Sequence, residues 1–204
     1  EVYAANGTLM ITAASVAAKL TDRGLPTIFR VCGRDDDQAN LSAAILAERF
    51  RDRRIAILND LSPASRTLAA ATGRRVDTLV ADLNDPAALA TVEAMLRDRQ
   101  DITLLVNNAG VGAVAPLLQS DVDAMDAMLD LNVKALTRLT YAAAPGFVAR
   151  GRGAIINIAS AVAISIEVLN GVYGASKAYV LALTQSLQHE LADKGVRVQA
   201  VLPG

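Results

Sequence analysis

From Val76 onward, short apolar runs alternate with longer stretches of helical pattern. Four runs stand out: Val76–Val80, Ile102–Val106, Ala154–Ile158 and Val196–Leu202. Each has strand length and is mainly apolar. Parallel strands covered on both faces read this way. Asp85-Pro-Ala opens a helix that runs through Arg97, with Asp85 as N-cap and Pro86 at the first helical position. Ser120 or Asp121 starts a long helix carrying Asn132. Val172 to Lys194 reads as a further helix, with Gly195 as its stop. This alternation predicts an α/β fold: a doubly wound parallel sheet in three α/β/α layers, with ligands at the carboxyl ends of the strands.

The 204 residues fit one domain, with 1–26 as an extra segment or extension. A net charge of −1 gives no electrostatic case for nucleic acid. No apolar run reaches the roughly 18 residues of a membrane span, and no secretory signal is read. The single cysteine, Cys32, excludes an internal disulfide and fits a reducing, cytoplasmic location. His189 is the only histidine and reads as a solvated helix residue; no metal-ligand cluster is expected. The chain begins with Glu1 and stops at Gly204 inside a motif, so a truncated C-terminal part is expected.

The chemistry concentrates in Tyr173-Gly-Ala-Ser-Lys177. Residues four apart lie one turn apart on one helix face. An ammonium fixed near a phenol favours the phenolate, which makes a proton donor and acceptor for use near neutral pH. Lys177 falls on one stripe with Tyr173, Val180, Thr184, Leu187 and Leu191, which turns it inward. Ser160 follows an apolar run, where its hydroxyl can steady a carbonyl oxygen. Asn132 lies in line with Met125, Met128, Leu129, Leu136 and Leu139, and an amide on an apolar stripe needs internal partners. These side chains suit reduction of a ketone or oxidation of an alcohol. None carries a hydride, so a cofactor is implied.

Asn107-Asn-Ala-Gly110, Asn132, Ser160, Tyr173-x-x-x-Lys177 and Pro203-Gly204 resemble, in order and in spacing, the motif series of the short-chain dehydrogenase/reductase family. The resemblance covers roughly Val76 to Gly204. It implies a Rossmann-like NAD(P)-binding domain and reversible hydride transfer between NAD(P)H and a carbonyl or secondary alcohol. It implies that Tyr173 is the general acid/base and that Ser160 binds the substrate oxygen. Lys177 would bind the nicotinamide ribose and tune Tyr173. Asn132 would hold a water linking Lys177 to solvent, or satisfy helix backbone as a structural amide. Asn107, Ala109 and Gly110 would line the adenosine side. Asp82 would contact adenine, or cap the approach to the next helix. Pro203 and Gly204 would flank the nicotinamide. Val162 and Leu169 would face an apolar substrate. The resemblance further implies a homodimer or homotetramer built on the helices of Asn132 and Tyr173.

Before Val76 the resemblance weakens, and two registers stay open. In one, Leu9–Ser15 is the first strand and turn, Val16 to Arg23 a helix, and Thr27–Cys32 the second strand. In the other, which is preferred, Thr27–Cys32 is the first strand and 32–39 the phosphate loop. Leu41 to Arg51 is then the helix, and Ile55–Leu58 the second strand. Only Gly33 remains of the family's glycines there, and Asp35, Asp36 and Asp37 present negative charge to a pyrophosphate. In the first register Arg34 would pair with a 2′-phosphate, which favours NADP over NAD. The altered loop also motivates a different reading, a binding module or pseudoenzyme that keeps the fold without tight cofactor binding; an inactive fragment is a third.

Overall fold

The computed structural model describes residues 10–12, 28–30, 55–59, 76–165, 167 and 171–203. They fall in two compact units, Glu1–Val80 and Ala81–Gly204. In the first, β1 (Met10–Thr12) pairs in parallel with β2 (Ile28–Arg30). Strand β3 (Ile55–Asn59) pairs in parallel with β4 (Val76–Val80), with Ile55 opposite Val76. Both registers use the strand at 28–30; the strand at 10–12 belongs to the first register and that at 55–59 to the second. The stretch that separates the registers, 32–39, with Gly33, Arg34 and the three aspartates, lies outside the described residues.

The second unit holds a three-stranded parallel sheet of β5 (Leu104–Asn107), β6 (Gly153–Ile158) and β7 (Val196–Val201), with β6 in the middle. Its helices are α1 (Pro86–Asp98), α2 (Val122–Leu129), α3 (Leu136–Ala149) and α4 (Gly171–Glu190). A π-helical segment, Asp130–Ala135, joins α2 to α3. The capping signals act as expected. Asp85 Oδ1 accepts from Ala87 N at 3.0 Å, and Asp121 Oδ1 accepts from Asp123 N at 2.8 Å and Ala124 N at 3.0 Å. Each satisfies helix-end donors that would otherwise lack a partner. Helix α4 ends at Glu190 and tightens into a 3₁₀ turn, Ala192–Lys194. Gly195 then turns the chain at φ 70°; a side chain there would also strike the Gly151 carbonyl.

Strand β5 starts at Leu104, two residues later than the apolar pattern suggests. Just before it, Arg150 Nη2 donates to the Ile102 carbonyl at 2.9 Å. The buried residues of the sheet share one face. Leu105, Ile155 and Val198 lie side by side, followed by Asn107 beside Asn157. Helices α3 and α4 pack against this face, and α1 packs against α3. Phe147 of α3 fits where Gly153 has no side chain; a Cβ there would meet its ring carbon at 2.3 Å. Leu136, Ala159 and Val180 form a buried cluster with Leu183 and Leu202 packed on it.

Two polar arrangements register the helices. Asn107 Nδ2 donates to Thr140 Oγ1 at 3.0 Å and to Asn157 Oδ1 at 2.9 Å. Asn157 Nδ2 donates to Thr184 Oγ1 at 2.9 Å, and Thr184 donates to the Val180 carbonyl at 2.6 Å. This ladder runs from α3 across two strands to α4 with no exposed member. Between α1 and α3, buried Glu93 takes Arg97 Nη2 at 2.5 Å and also binds Arg138 Nε. Burial raises the Glu93 carboxyl, but the two arginine hydrogen bonds and their charge outweigh it, so it sits below the ordinary carboxylate value.

Candidate active site

The second unit brings four sequence motifs to one end of its sheet. Strand β5 ends at Asn107 and leads into Ala109-Gly110-Val111-Gly112. Strand β6 ends at Ile158, two residues before Ser160. Helix α4 carries Tyr173 and Lys177 on its first turns. The π segment carries Asn132. The carboxyl ends of parallel strands are where such folds bind ligands.

Lys177 is 7% exposed, and its Nζ donates to the Ile158 carbonyl at 3.0 Å. Burial lowers its pKa from the ordinary lysine value. Val180, Thr184 and Leu187 are buried on the same stripe, as the helical periodicity requires, while Tyr173 is half-buried at its mouth. The Tyr173 ring lies over Gly112: a Cβ on that glycine would stand 3.6 Å from Cζ. Gly110 is under tighter constraint. A Cβ there would stand 2.9 Å from Asn132 Oδ1 and 3.4 Å from Lys177 Nζ. The loop after β5 therefore passes Asn132, Lys177 and Tyr173 within two residues.

Asn132 is 1% exposed. Its Oδ1 accepts from Val111 N at 2.9 Å, and its Nδ2 donates to Val111 O at 2.8 Å and to Ser176 Oγ at 3.2 Å. Both amide hydrogens are thus committed, and the side chain clasps the Val111 backbone. Its position depends on the π turn, which inserts extra chain into an otherwise α-helical run; such turns recur at functional sites.

Ser160 is held more loosely. Val162 N donates to its Oγ at 3.4 Å, and the hydroxyl reaches the Pro203 carbonyl at 3.5 Å, the outer limit of a hydrogen bond. Pro203 O is taken more firmly by Ala161 N at 2.8 Å, which ties the end of β7 to the Ser160 turn. Val162 is half-buried beside that turn. Leu169 and Gly204 lie outside the described residues. Asp82 is exposed and accepts from Asn84 N at 2.9 Å in the turn before α1. Asn107 spends its Nδ2 on the buried ladder, and its Oδ1 is buried without a hydrogen-bond partner.

Three participants were not singled out from sequence. Ser176 stands inside the Tyr–Lys motif but looks like one more small helix residue. Val111 and Gly112 follow the Asn-Asn-Ala-Gly stretch and act through backbone and space, which no residue type announces. The sequence signal for the ladder was Asn157, a lone amide in an apolar strand.

Residues 15–204 match the family model described as short chain dehydrogenase. The oxidoreductase UcpA of Escherichia coli is 35% identical over 153 residues, 72% of this chain and 58% of that protein. The chain thus spans less than two thirds of that relative's length. Among solved structures, a short-chain dehydrogenase from Sphingobium yanoikuyae in complex with NADPH is 42% identical, with a TM-score of 0.70 over 78% of this chain and 65% of its own. A bulky-bulky ketone specific alcohol dehydrogenase from Comamonas testosteroni is 36% identical, with a TM-score of 0.72 over 81% of this chain and 67% of its own.

Proposed function

The chain belongs to the short-chain dehydrogenase family, and from that premise we propose that it transfers a hydride between NAD(P)H and a carbonyl or secondary alcohol. The observation that carries this reading is the enclosure of Lys177 beside the loop that crosses the Tyr173 ring. A buried lysine held by one strand-end carbonyl is costly unless a ligand or reaction uses it.

In this reading Tyr173 exchanges the proton with the substrate oxygen. Ser160, whose hydroxyl is only weakly engaged, turns to hydrogen-bond the same oxygen. Lys177 binds the ribose hydroxyls, with Gly110 leaving room for its ammonium. Asn132 holds the Val111 backbone, and so the wall opposite Tyr173. Gly33, Arg34, Asp82, Asn107, Ala109, Pro203 and Gly204 complete the dinucleotide site, and Val162 and Leu169 face an apolar substrate. When bound, the nicotinamide supplies or takes the hydride. In the first register Arg34 favours NADP over NAD, and the Sphingobium neighbour's complex with NADPH agrees.

Residues 1–204 are read as one dinucleotide-binding domain of a homodimer or homotetramer in the cytoplasm. No described helix is long and apolar enough to cross a membrane. The three aspartates at 35–37 favour the second reading, a family member without tight cofactor binding.

Fluorescence titration with NADPH and NADH, followed by ketone reduction read at the nicotinamide absorbance, tests both. Saturable binding with turnover supports the enzyme. Absence of binding at millimolar dinucleotide would leave the binding module.

A further inference from the structure

We propose that Ser176 is a positioning residue that sets the direction of the Asn132 amide, and through it the place of the Val111 backbone in the site. Ser176 is 1% exposed and lies on α4 between Tyr173 and Lys177. Its hydroxyl donates to the Tyr173 carbonyl at 2.8 Å. A serine has one hydrogen to give. With that hydrogen committed, Ser176 Oγ presents only lone pairs to Asn132, 3.2 Å away. Asn132 must therefore turn its NH₂ toward Ser176.

The amide's other end is then fixed. Oδ1 faces Val111 N, which has a hydrogen to donate, and the second amide hydrogen reaches Val111 O. A flipped amide would set NH₂ against the Val111 N–H and oxygen against the Val111 carbonyl, and both contacts would become repulsive. Without Ser176 Oγ, one buried amide hydrogen has lost its acceptor and the bias against the flip is reduced. The chain of direction runs from the Tyr173 carbonyl through Ser176 and Asn132 to Val111, whose neighbours Gly110 and Gly112 pass Lys177 and Tyr173. Ser176 touches no reacting atom in this scheme; it acts through Asn132.

The catalytic consequence rests on the dehydrogenase reading, but the structural one does not, and amide exchange separates them. Hydrogen exchange followed by NMR should show the Val111 amide opening at least tenfold faster in Ser176→Ala, with the amides of Leu105 and Ile155 unchanged. Ser176→Thr, which keeps the hydroxyl, should restore the original rate. Asn132→Ala should match or exceed the effect, and adding Ser176→Ala to it should change nothing more, as expected for two residues in one chain of action. In turnover, Ser176→Ala should lower kcat more than it raises KM. Unchanged exchange at Val111, acceleration spread evenly over the sheet, threonine behaving as alanine, or additive effects in the double variant would each overturn the proposal. Wild-type protein that binds no dinucleotide would overturn the dehydrogenase reading while leaving the exchange experiment decisive.

Discussion

Asn132 grips Val111 at both poles of one residue: its carbonyl oxygen takes the Val111 N–H, and its NH₂ reaches the Val111 C=O. An amide is the one common side chain that carries donor and acceptor in the right order for this. Asn132→Asp keeps the shape but removes the donors, leaving the Val111 carbonyl facing a carboxylate. A buried polar group deprived of its partner costs about 1–3 kcal/mol. We expect Asn132→Asp to lower the thermal midpoint and to cut turnover sharply. An unchanged midpoint by differential scanning calorimetry would show that the clasp contributes nothing.

Tyr173→Phe removes a hydroxyl and little else. Its ring should stay over Gly112, and dinucleotide affinity should stay within about twofold of wild type. Turnover should fall by about 10²–10⁴, the usual contribution of a general acid or base. Activity within twofold of wild type would exclude Tyr173 as the proton donor.

Lys177 makes a prediction about stability as well as rate. Its folded-state pKa lies below the ordinary lysine value because of burial. Between those two values the unfolded chain binds more protons than the folded one, so stability rises with pH across that window. Below the folded pKa the cost of burying the charge is fully present; above the ordinary value near 10.5 it is gone. Lys177→Met should remove this rise. The difference in unfolding free energy between wild type and variant, measured by urea titration, should drift in favour of wild type as pH increases. A difference flat with pH would show that the ammonium is not buried. The same variant should also bind dinucleotide more weakly.

Glu93 gives the opposite sign. Its pKa is depressed by Arg97 and Arg138, so its contribution is present above the ordinary carboxylate value and is lost as pH falls through the lower folded one. Wild type should therefore lose stability in acid relative to Glu93→Gln, and the two urea midpoints should converge there. Parallel acid profiles would place the ion pair outside the stability balance.

Two glycines that flank Val111 should respond differently to the same change. At Gly110 a methyl would press on Asn132 Oδ1, which Val111 holds in place; at Gly112 it would rest at ordinary contact distance on the Tyr173 ring. Gly110→Ala should lower both thermal midpoint and dinucleotide affinity. Gly112→Ala should leave the midpoint unchanged, while Gly112→Leu should raise KM for bulky ketones. Equal midpoints for the two alanine variants would contradict the geometry.

The parts of this fold that sequence revealed are those set by neighbours along the chain. Asp85 and Asp121 cap helices because the donors they satisfy lie two or three residues ahead. Gly195 ends the 3₁₀ turn after α4 because its own backbone turns left-handed. The stripe from Lys177 to Leu187 is buried because helical periodicity dictates it. What stayed hidden depends on residues distant in sequence. Arg150 takes the Ile102 carbonyl from 48 residues away. Asn107 meets Thr140 across 33 residues, and Ser176 meets Asn132 across 44. The π turn has no composition of its own: Asp-Leu-Asn-Val-Lys-Ala would serve an α-helix equally well. Tertiary demand for Asn132 at Val111 offers the physical reason it forms.

That turn also decides where the long helix can be shortened. An i→i+5 turn carries one residue more than the α turn it replaces, so deleting one residue within Asp130–Ala135 would regularise the helix and leave its downstream face in phase. Leu136, Leu139, Ala143 and Phe147 would stay against the sheet and Thr140 beside Asn107, while Asn132 would lose its place at Val111. The same deletion within α3 would instead rotate everything beyond it by about 100°, since an α-helix has 3.6 residues per turn. Length should therefore be more stringently fixed in α3 than in the turn that precedes it.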